Sequence, residues 1–400
     1  MDVEQLADLR SPAGRELVAT AADCLRTGAG DLQQAAELRR RHPSAPPNLT
    51  AAALTVAALR RAAVSKLGGD ADCVWATRDA LEQATRRSVA EHRAARLAAA
   101  GPGARLVDLG CGLGVDLVAA ARAGLRVTGV DSDPLRVALA EANLTELGLD
   151  GSVLCSTAEI IDVAGYDLAF TDPARRSGRG RIADPRDCSP GWDVVTGWLN
   201  GAVPGGAVVK TTPAIAHSLV PDGVEAEWVS DGGDLVEAAL WGRPLATVRR
   251  RATVLPAGAS LTDRDDPGEV SVAPPGAFLF EPDDAVIRAG LVTAVAAQLG
   301  GWLLDPHIAY LSGDSAPASP FARGYRVVDE VPFHERALRT ALAARGIGSL
   351  TVKKRGVDIV PGRLRAKLRL RGGNRATLVL TRVAGAGRAY LVEPLSTRSG

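Results

Sequence analysis

The 400-residue sequence specifies an α/β fold, a doubly wound sheet with helices before it and a smaller α/β module after it. Three observations predict this. Residues 106–131, LVDLGCGLGVDLVAAARAGLRVTGVD, read as strand, glycine-rich turn, helix and strand. Residues 1–98 read as all-helical, with Leu, Val and Ala at helical spacing. From Thr351 to Gly400, strand and helix patterns carry twelve basic residues against only Asp358 and Glu393.

Taken in order, Ser11-Pro12 can open a helix, because proline suits a first helical turn. Residues 15–27 and 31–41 continue the pattern, and His42-Pro43 and Ala45-Pro46-Pro47 break it. A helix over 51–67 is capped by Asn48 or Thr50 and stopped by Gly68-Gly69. Thr77 caps a further helix, whose first turns Asp79 and Glu82 favour through the helix dipole. It is expected to run on through Thr85 to Ala100. Such a bundle covers the neighbouring fold, and the polar Glu82-Gln83-Thr85-Arg86 stands close enough to the first strand to reach a ligand. Gly101-Pro102-Gly103 is a hinge.

After it come strands over 106–109, 126–130, 152–155, 166–170 and 207–213, with helices over 115–123, 134–147 and 192–199. Strands over 225–230, 235–241 and 246–255 follow, the last two forming a terminal antiparallel hairpin. Residues 257–268 have linker composition, 281–300 a proline-capped helix, and 314–320 a flexible break. Strands over 325–331, 349–354, 376–382 and 389–392, with helices over 333–345 and 362–370, complete the module. The expected domains are therefore 1–98 (helical), 99–256 (ligand-binding sheet), 257–322 (connecting region) and 323–396 (terminal module).

Composition narrows the classes. Apolar content of 46% with 23% charge is ordinary for a globular protein, but only 4% is aromatic, so Ala, Val and Leu must build the core. No run of 18 apolar residues predicts a membrane helix, and MDVEQLADLR is too polar for a signal peptide. The five cysteines show no CxxC and no Cys/His cluster, so a reduced cytoplasmic protein without a metal site is expected.

The glycine spacing identifies the ligand class. A dinucleotide fingerprint needs glycine at i, i+2 and i+5, and Val115 stands at the last position. The chain instead offers Asp108-x-Gly110-Cys111-Gly112-x-Gly114, followed by Asp131 at the end of the second strand. This resembles motif I of class I S-adenosylmethionine (SAM) dependent methyltransferases, which have a Rossmann-like sheet. The resemblance implies that Gly110, Cys111, Gly112 and Gly114 pack under the methionine part of SAM and that Asp108 helps fix its amino group. It further implies that Asp131 binds the ribose, and that Thr157 and Ala158 bracket the adenine. Thr157 stands where that family often carries an acid.

The strand YDLAF ends in Thr171-Asp172-Pro173-Ala174-Arg175-Arg176, the place of motif IV. Amino-methylating nucleic-acid enzymes carry Asn/Asp-Pro-Pro-aromatic there. Asp172 and Pro173 are the catalytic candidates, holding a target amine. Arg175 replaces the aromatic residue; it and Arg176 either contact a base or phosphate or pair with loop acids. LEQATRRSVAEHRA, the glycine turn, TDPARR, VKTTP and SLTVKKRGVDIVPGRLRAKLRLRG together resemble the bacterial class I methyltransferases with a C-terminal THUMP-like domain. That resemblance implies SAM as cofactor and points to RNA, tRNA or rRNA modified at a base nitrogen. Lys353, Lys354, Arg365 and Arg369 are the candidate RNA contacts, Arg365 and Arg369 being i, i+4 neighbours on a helix. A methyltransferase for a protein or small molecule, and a non-catalytic SAM- and RNA-binding protein, are the alternatives.

Overall fold

A computed structural model of the chain describes residues 1–175 and 188–395, with Ala174 and Arg175 described by their backbone alone. It divides into two compact units, residues 1–225 with 238–247, and residues 226–237 with 248–400. Arg176 lies outside the described residues.

The first unit opens with α1 (Val3–Arg10), α2 (Pro12–Arg26), α3 (Asp31–Arg41), α4 (Pro47–Leu67), α5 (Arg78–Gln83) and α6 (Arg87–Ala100). Local chemistry sets these boundaries. The Ser11 side chain accepts from the Gly14 N–H, with Pro12 at the first helical position. Thr77 caps α5 by accepting from Ala80 N at 3.3 Å. One expectation fails here. The helix after Thr77 does not run unbroken to Ala100, because Ala84 (ψ 145°) and Arg86 (ψ 138°) are extended and separate α5 from α6. No proline or glycine marks that break in the sequence.

The sheet follows with β1 (Arg105–Leu109), α7 (Val115–Arg122), β2 (Arg126–Asp131), α8 (Pro134–Glu146), β3 (Ser152–Cys155) and β4 (Leu168–Thr171). A two-residue ladder joins β5 (Ala174–Arg175) to β6 (Cys188–Ser189), and α9 (Trp192–Gly197) leads to β7 (Ala207–Thr211). Strands β3, β2, β1, β4 and β7 are parallel in that order. Against the edge of β7 runs the end of β9 (Asp234–Trp241), antiparallel, with Lys210 opposite Ala239. Chain order reverses between β1 and β4, and open α/β sheets bind ligands at such a crevice. The helical region is not a separate body. Leu59, Ala63 and Trp75 share one core with Leu113, Leu139 and Ala142. The expected 1–98 and 99–256 domains therefore pack as one unit, apart from the exchange of segments after Glu225.

The second unit contains β8 (Glu225–Asp231), β10 (Arg250–Leu255) and β11 (Ala259–Thr262). Here β10 pairs in parallel with β8 and antiparallel with β11, in place of the expected hairpin between 235–241 and 246–255. The rest comprises β12 (Phe278–Pro282), α10 (Asp284–Ala289), α11 (Val292–Leu299), β13 (Trp302–Asp305), β14 (Ile308–Gly313), β15 (Ala322–Val331), α12 (Glu335–Ala344), β16 (Ile347–Lys354), α13 (Pro361–Leu368), β17 (Asn374–Val383) and β18 (Ala386–Pro394). These strands form one sheet in the order β13-β14-β12-β15-β18-β17-β16. The expected connecting region 257–322 supplies β11 and three strands of the terminal sheet. The expected helix over 281–300 is two helices after a strand, because Gly290 takes a left-handed φ of 68° that stops α10. Leu350, Leu364, Leu368, Leu378 and Leu380 pack α12 and α13 against one face of the sheet. Tyr310, Tyr325, Val379 and Tyr390 form a second core. No helix among the described residues is long and apolar enough to cross a membrane.

Candidate active site

The glycine turn follows β1 directly. Gly110, Gly112 and Gly114 have φ of 90°, 54° and 77°, left-handed values that other residues adopt only with strain. The turn is pinned from β2: Gly110 N and Cys111 N donate to Val130 O at 2.8 and 3.0 Å. Gly114 caps α7 and needs to be small, since a Cβ there would lie 3.2 Å from that of Ala140. Gly112 is different: a Cβ there would meet nothing within 4 Å, so its face is open. The first turn of α7 leaves backbone N–H groups without helical partners at this end.

Asp131 closes one side. Its Oδ2 accepts from Gly112 N at 3.0 Å and its Oδ1 from Asp133 N at 3.0 Å. Each carboxylate oxygen keeps a further lone pair for a ligand hydroxyl. Ser156 N donates to Asp131 O at 3.0 Å, which brings Thr157 and Ala158 beside it. The open glycine face and the adjoining carboxylate fit SAM.

Two expected cofactor residues are not presented this way. Asp108 is 2% exposed, and both carboxyl oxygens are sealed from solvent with no hydrogen-bond partner among the described residues. It faces a small cavity lined by Arg93, Asp116, Leu106 and Phe170. Burial, with Asp116 adding to it and Arg93 opposing it, pushes the Asp108 carboxyl well above the usual carboxylate range. The Cys111 thiol is also buried; its Sγ would sit 2.9 Å from a Cβ at Gly129, and burial raises its pKa. With its N–H taken by Val130, Cys111 offers a ligand neither group.

On the other side of the turn stands the end of β4. A Cβ at Gly110 would lie 3.7 Å from Asp172 O, so motif IV and the glycine turn meet at the backbone. Asp172 Oδ2 accepts from Lys210 Nζ at 2.6 Å. Lys210 also donates to Thr85 Oγ1 at 3.3 Å, and Thr85 Oγ1 donates to Asp116 Oδ2 at 2.7 Å. Asp116 is paired in turn with the buried Arg93, whose guanidinium lies 4.3 Å from the Phe170 ring centroid. The break between α5 and α6 is what lets Thr85 enter this network. The polar run before the first strand points to Thr85, and the C-terminal end of the strand over 207–213 to Lys210, whereas Arg93 and Asp116 are not marked out in this way. The one signal for Asp116 was an acid two residues beyond the last glycine. Among the described residues no cluster of His, Cys, Asp or Glu could hold a metal ion.

The proposed RNA contacts are dispersed. Leu364 and Leu368 face the core and leave Arg365 and Lys367 exposed on α13. Arg369 is not an i, i+4 helical partner of Arg365, because the helix ends at Leu368 and Arg369 is left-handed at φ 48°. Lys353 and Lys354 project to opposite faces of β16, as strand alternation requires. Lys353 Nζ donates to Glu281 Oε2 at 3.0 Å, where Tyr325 also donates at 3.1 Å, and so it is held inside the sheet. Lys354 is exposed.

Comparisons with known proteins agree with this architecture. Residues 322–394 match the THUMP domain-like family, and residues 2–63 match a domain of unknown function (DUF8688). A crystal structure of a candidate methyltransferase from Porphyromonas gingivalis W83 shares the fold with a TM-score of 0.74 at 20% identity, covering 96% of this chain and 99% of that one. An uncharacterized SAM-dependent methyltransferase of Mycobacterium tuberculosis, from strains CDC 1551 / Oshkosh and ATCC 25618 / H37Rv, is 40% identical over 352 residues, covering 84% of this chain and 95% of the relative. At that identity and coverage, the chain belongs to this family of SAM-dependent methyltransferases, with SAM as its cofactor.

Proposed function

We propose that the protein methylates RNA, tRNA or rRNA, at a base nitrogen. The observation that supports this reading is the approach of the Asp172 backbone to the glycine turn, its O lying 3.7 Å from a Cβ built at Gly110. SAM supplies an electrophilic methyl group on a sulfonium. Asp172 accepts an N–H of a neutral amine and turns the nitrogen lone pair toward that carbon, and Pro173 shapes the carbonyl beside it. Transfer would form the N–C bond as the C–S bond of the sulfonium breaks, with S-adenosylhomocysteine leaving, and the nitrogen would give up one proton to Asp172 or water. Most of the acceleration is positioning, since a neutral amine needs no covalent help.

The THUMP-like region supplies the RNA argument. Lys354, Arg365 and Arg369 are exposed there, with Arg363 and Arg371 close in sequence, and each is a single cation that a phosphate could meet. Arg175 and Arg176 follow motif IV and are proposed to meet the substrate near the target base.

The test is transfer of labelled methyl from SAM into separated RNA, protein and metabolite fractions, by wild type and by Asp172→Asn. Label in RNA, recovered as an N-methylated nucleoside and lost in the variant, is expected. Label confined to protein or metabolites would overturn the RNA reading.

A further inference from the structure

The acid of motif IV is built into the helical region as well as the sheet. Lys210 is the one donor to the Asp172 carboxylate among the described residues, at 2.6 Å. The Lys210 side chain is 16% exposed and that of Asp172 40%, so the ammonium is the more buried partner, and Oδ1 has no donor among the described residues. Thr85 holds Lys210 from behind, and Thr85 is 7% exposed and itself tied to Asp116. Arg93 then anchors Asp116. The chain has only five lysines among 47 basic residues, so an ammonium at the end of β7 is not a compositional accident. A guanidinium is planar and forked, whereas an ammonium can direct three donors in a tetrahedral fan. Contacts to Asp172 and Thr85 use that fan.

We infer that Lys210 is the positioning and charge-selecting residue of the methyl-acceptor site. The inference rests on the reading of Asp172 as the acid that orients the acceptor. Lys210 fixes Oδ2 and with it the plane in which Oδ1 accepts. It also cancels the charge of Asp172. A bare carboxylate in a half-buried site attracts a cationic acceptor and holds it protonated, which leaves no lone pair for methylation. A neutralised carboxylate still accepts an N–H but gives a cation little advantage. The acceptor class is therefore an uncharged amine, such as the exocyclic amine of a base, and a lysine ammonium is disfavoured. Thr85 transmits this role to the α5–α6 break, which makes the N-terminal region part of the acceptor wall.

The experiment has a spectroscopic arm and a kinetic arm. With five lysines, ¹⁵N-lysine spectra of the full chain resolve each ammonium, and loss of one signal in Lys210→Met assigns Lys210. Its ammonium protons should exchange slowly in the wild type and be lost to fast exchange in Asp172→Asn. The kinetic arm uses labelled SAM and an extract of cells lacking the gene as the acceptor pool. Lys210→Met should lower kcat about a hundredfold, the scale of a misplaced reacting group. S-adenosylhomocysteine affinity should stay within twofold, and Lys210→Arg should recover part of the rate. An unchanged Lys210 signal in Asp172→Asn would overturn the inference. So would wild-type methylation of a lysine peptide as fast as the natural acceptor. A dead Asp172→Asn beside a fully active Lys210→Met would keep the role of Asp172 and overturn only that of Lys210. A fully active Asp172→Asn would remove both.

Discussion

Asn143 grips Trp75 at both ends of its backbone: Trp75 N donates to Asn143 Oδ1 at 2.8 Å, and Asn143 Nδ2 donates to Trp75 O at 3.1 Å. The same Nδ2 reaches Leu113 O in the glycine turn at 2.9 Å. Asn143 lies on α8 and is 4% exposed, so these bonds join the helical region to the cofactor turn in a dry place. Asn143→Leu would strand three backbone groups. It should cost about 3 kcal/mol, since each buried orphan costs about 1–3 kcal/mol. Denaturant unfolding measures the loss. Hydrogen exchange should show α4 and β1 losing protection together, and independent loss would contradict a shared unit.

Gly112→Ala separates folding from cofactor binding. Its strain comes from φ alone and should cost about 1–2 kcal/mol, because the added Cβ meets no protein atom within 4 Å. The same methyl would project into the open face of the turn. Calorimetry should show a soluble, folded variant with SAM affinity reduced at least tenfold. Wild-type affinity would mean that SAM does not approach Gly112.

Asp108→Asn should raise the melting temperature at neutral pH. The folded-state pKa is raised well above 3.8, so above pH 3.8 the folded chain keeps a proton that the unfolded chain releases. Stability then falls as pH rises from 3.8 toward the folded pKa, and the amide removes that penalty. The gain should shrink to nothing near pH 4 and below. SAM affinity should stay within a few fold. A large loss of affinity would mean that Asp108 reaches the cofactor as a charged acid.

The basic residues of the terminal module should fall into two groups. Lys353→Met breaks a partly buried pair with Glu281 and should cost about 2 kcal/mol, typical of a hydrogen bond to a charged group. It should leave RNA affinity near wild type. Neutralising Lys354, Arg365 and Arg369 should do the reverse, lowering the log–log salt slope by about 0.7–0.9 per lost phosphate contact. Binding titrations at several salt concentrations separate the two groups, and an unchanged slope in the triple variant would exclude this surface.

The cofactor turn was legible because its chemistry is local. Gly110, Gly112 and Gly114 all take the left-handed backbone that their spacing requires. Leu364 and Leu368 face the core as their helical spacing predicts. What stayed hidden depends on tertiary contacts. The α5–α6 break carries no Gly or Pro, so nothing in 84–86 announces that Thr85 turns toward Lys210, 125 residues away. Asp108 reads as a ligand-binding acid, and only the packing of Arg93 and Phe170 reveals it as enclosed. Lys353 belongs by sequence to a basic run, yet strand alternation sends it to Glu281. Residues 257–268 read as linker by composition, yet Ala259–Thr262 within them forms β11.

An RNA base nitrogen is the proposed methyl acceptor of this enzyme. Mass spectrometry of nucleosides from tRNA and rRNA, prepared from cells with and without the gene, tests it most directly. One N-methylated nucleoside should disappear without the gene, return with the wild-type copy, and stay absent with Asp172→Asn. Identical nucleoside profiles in all of these cells would contradict it.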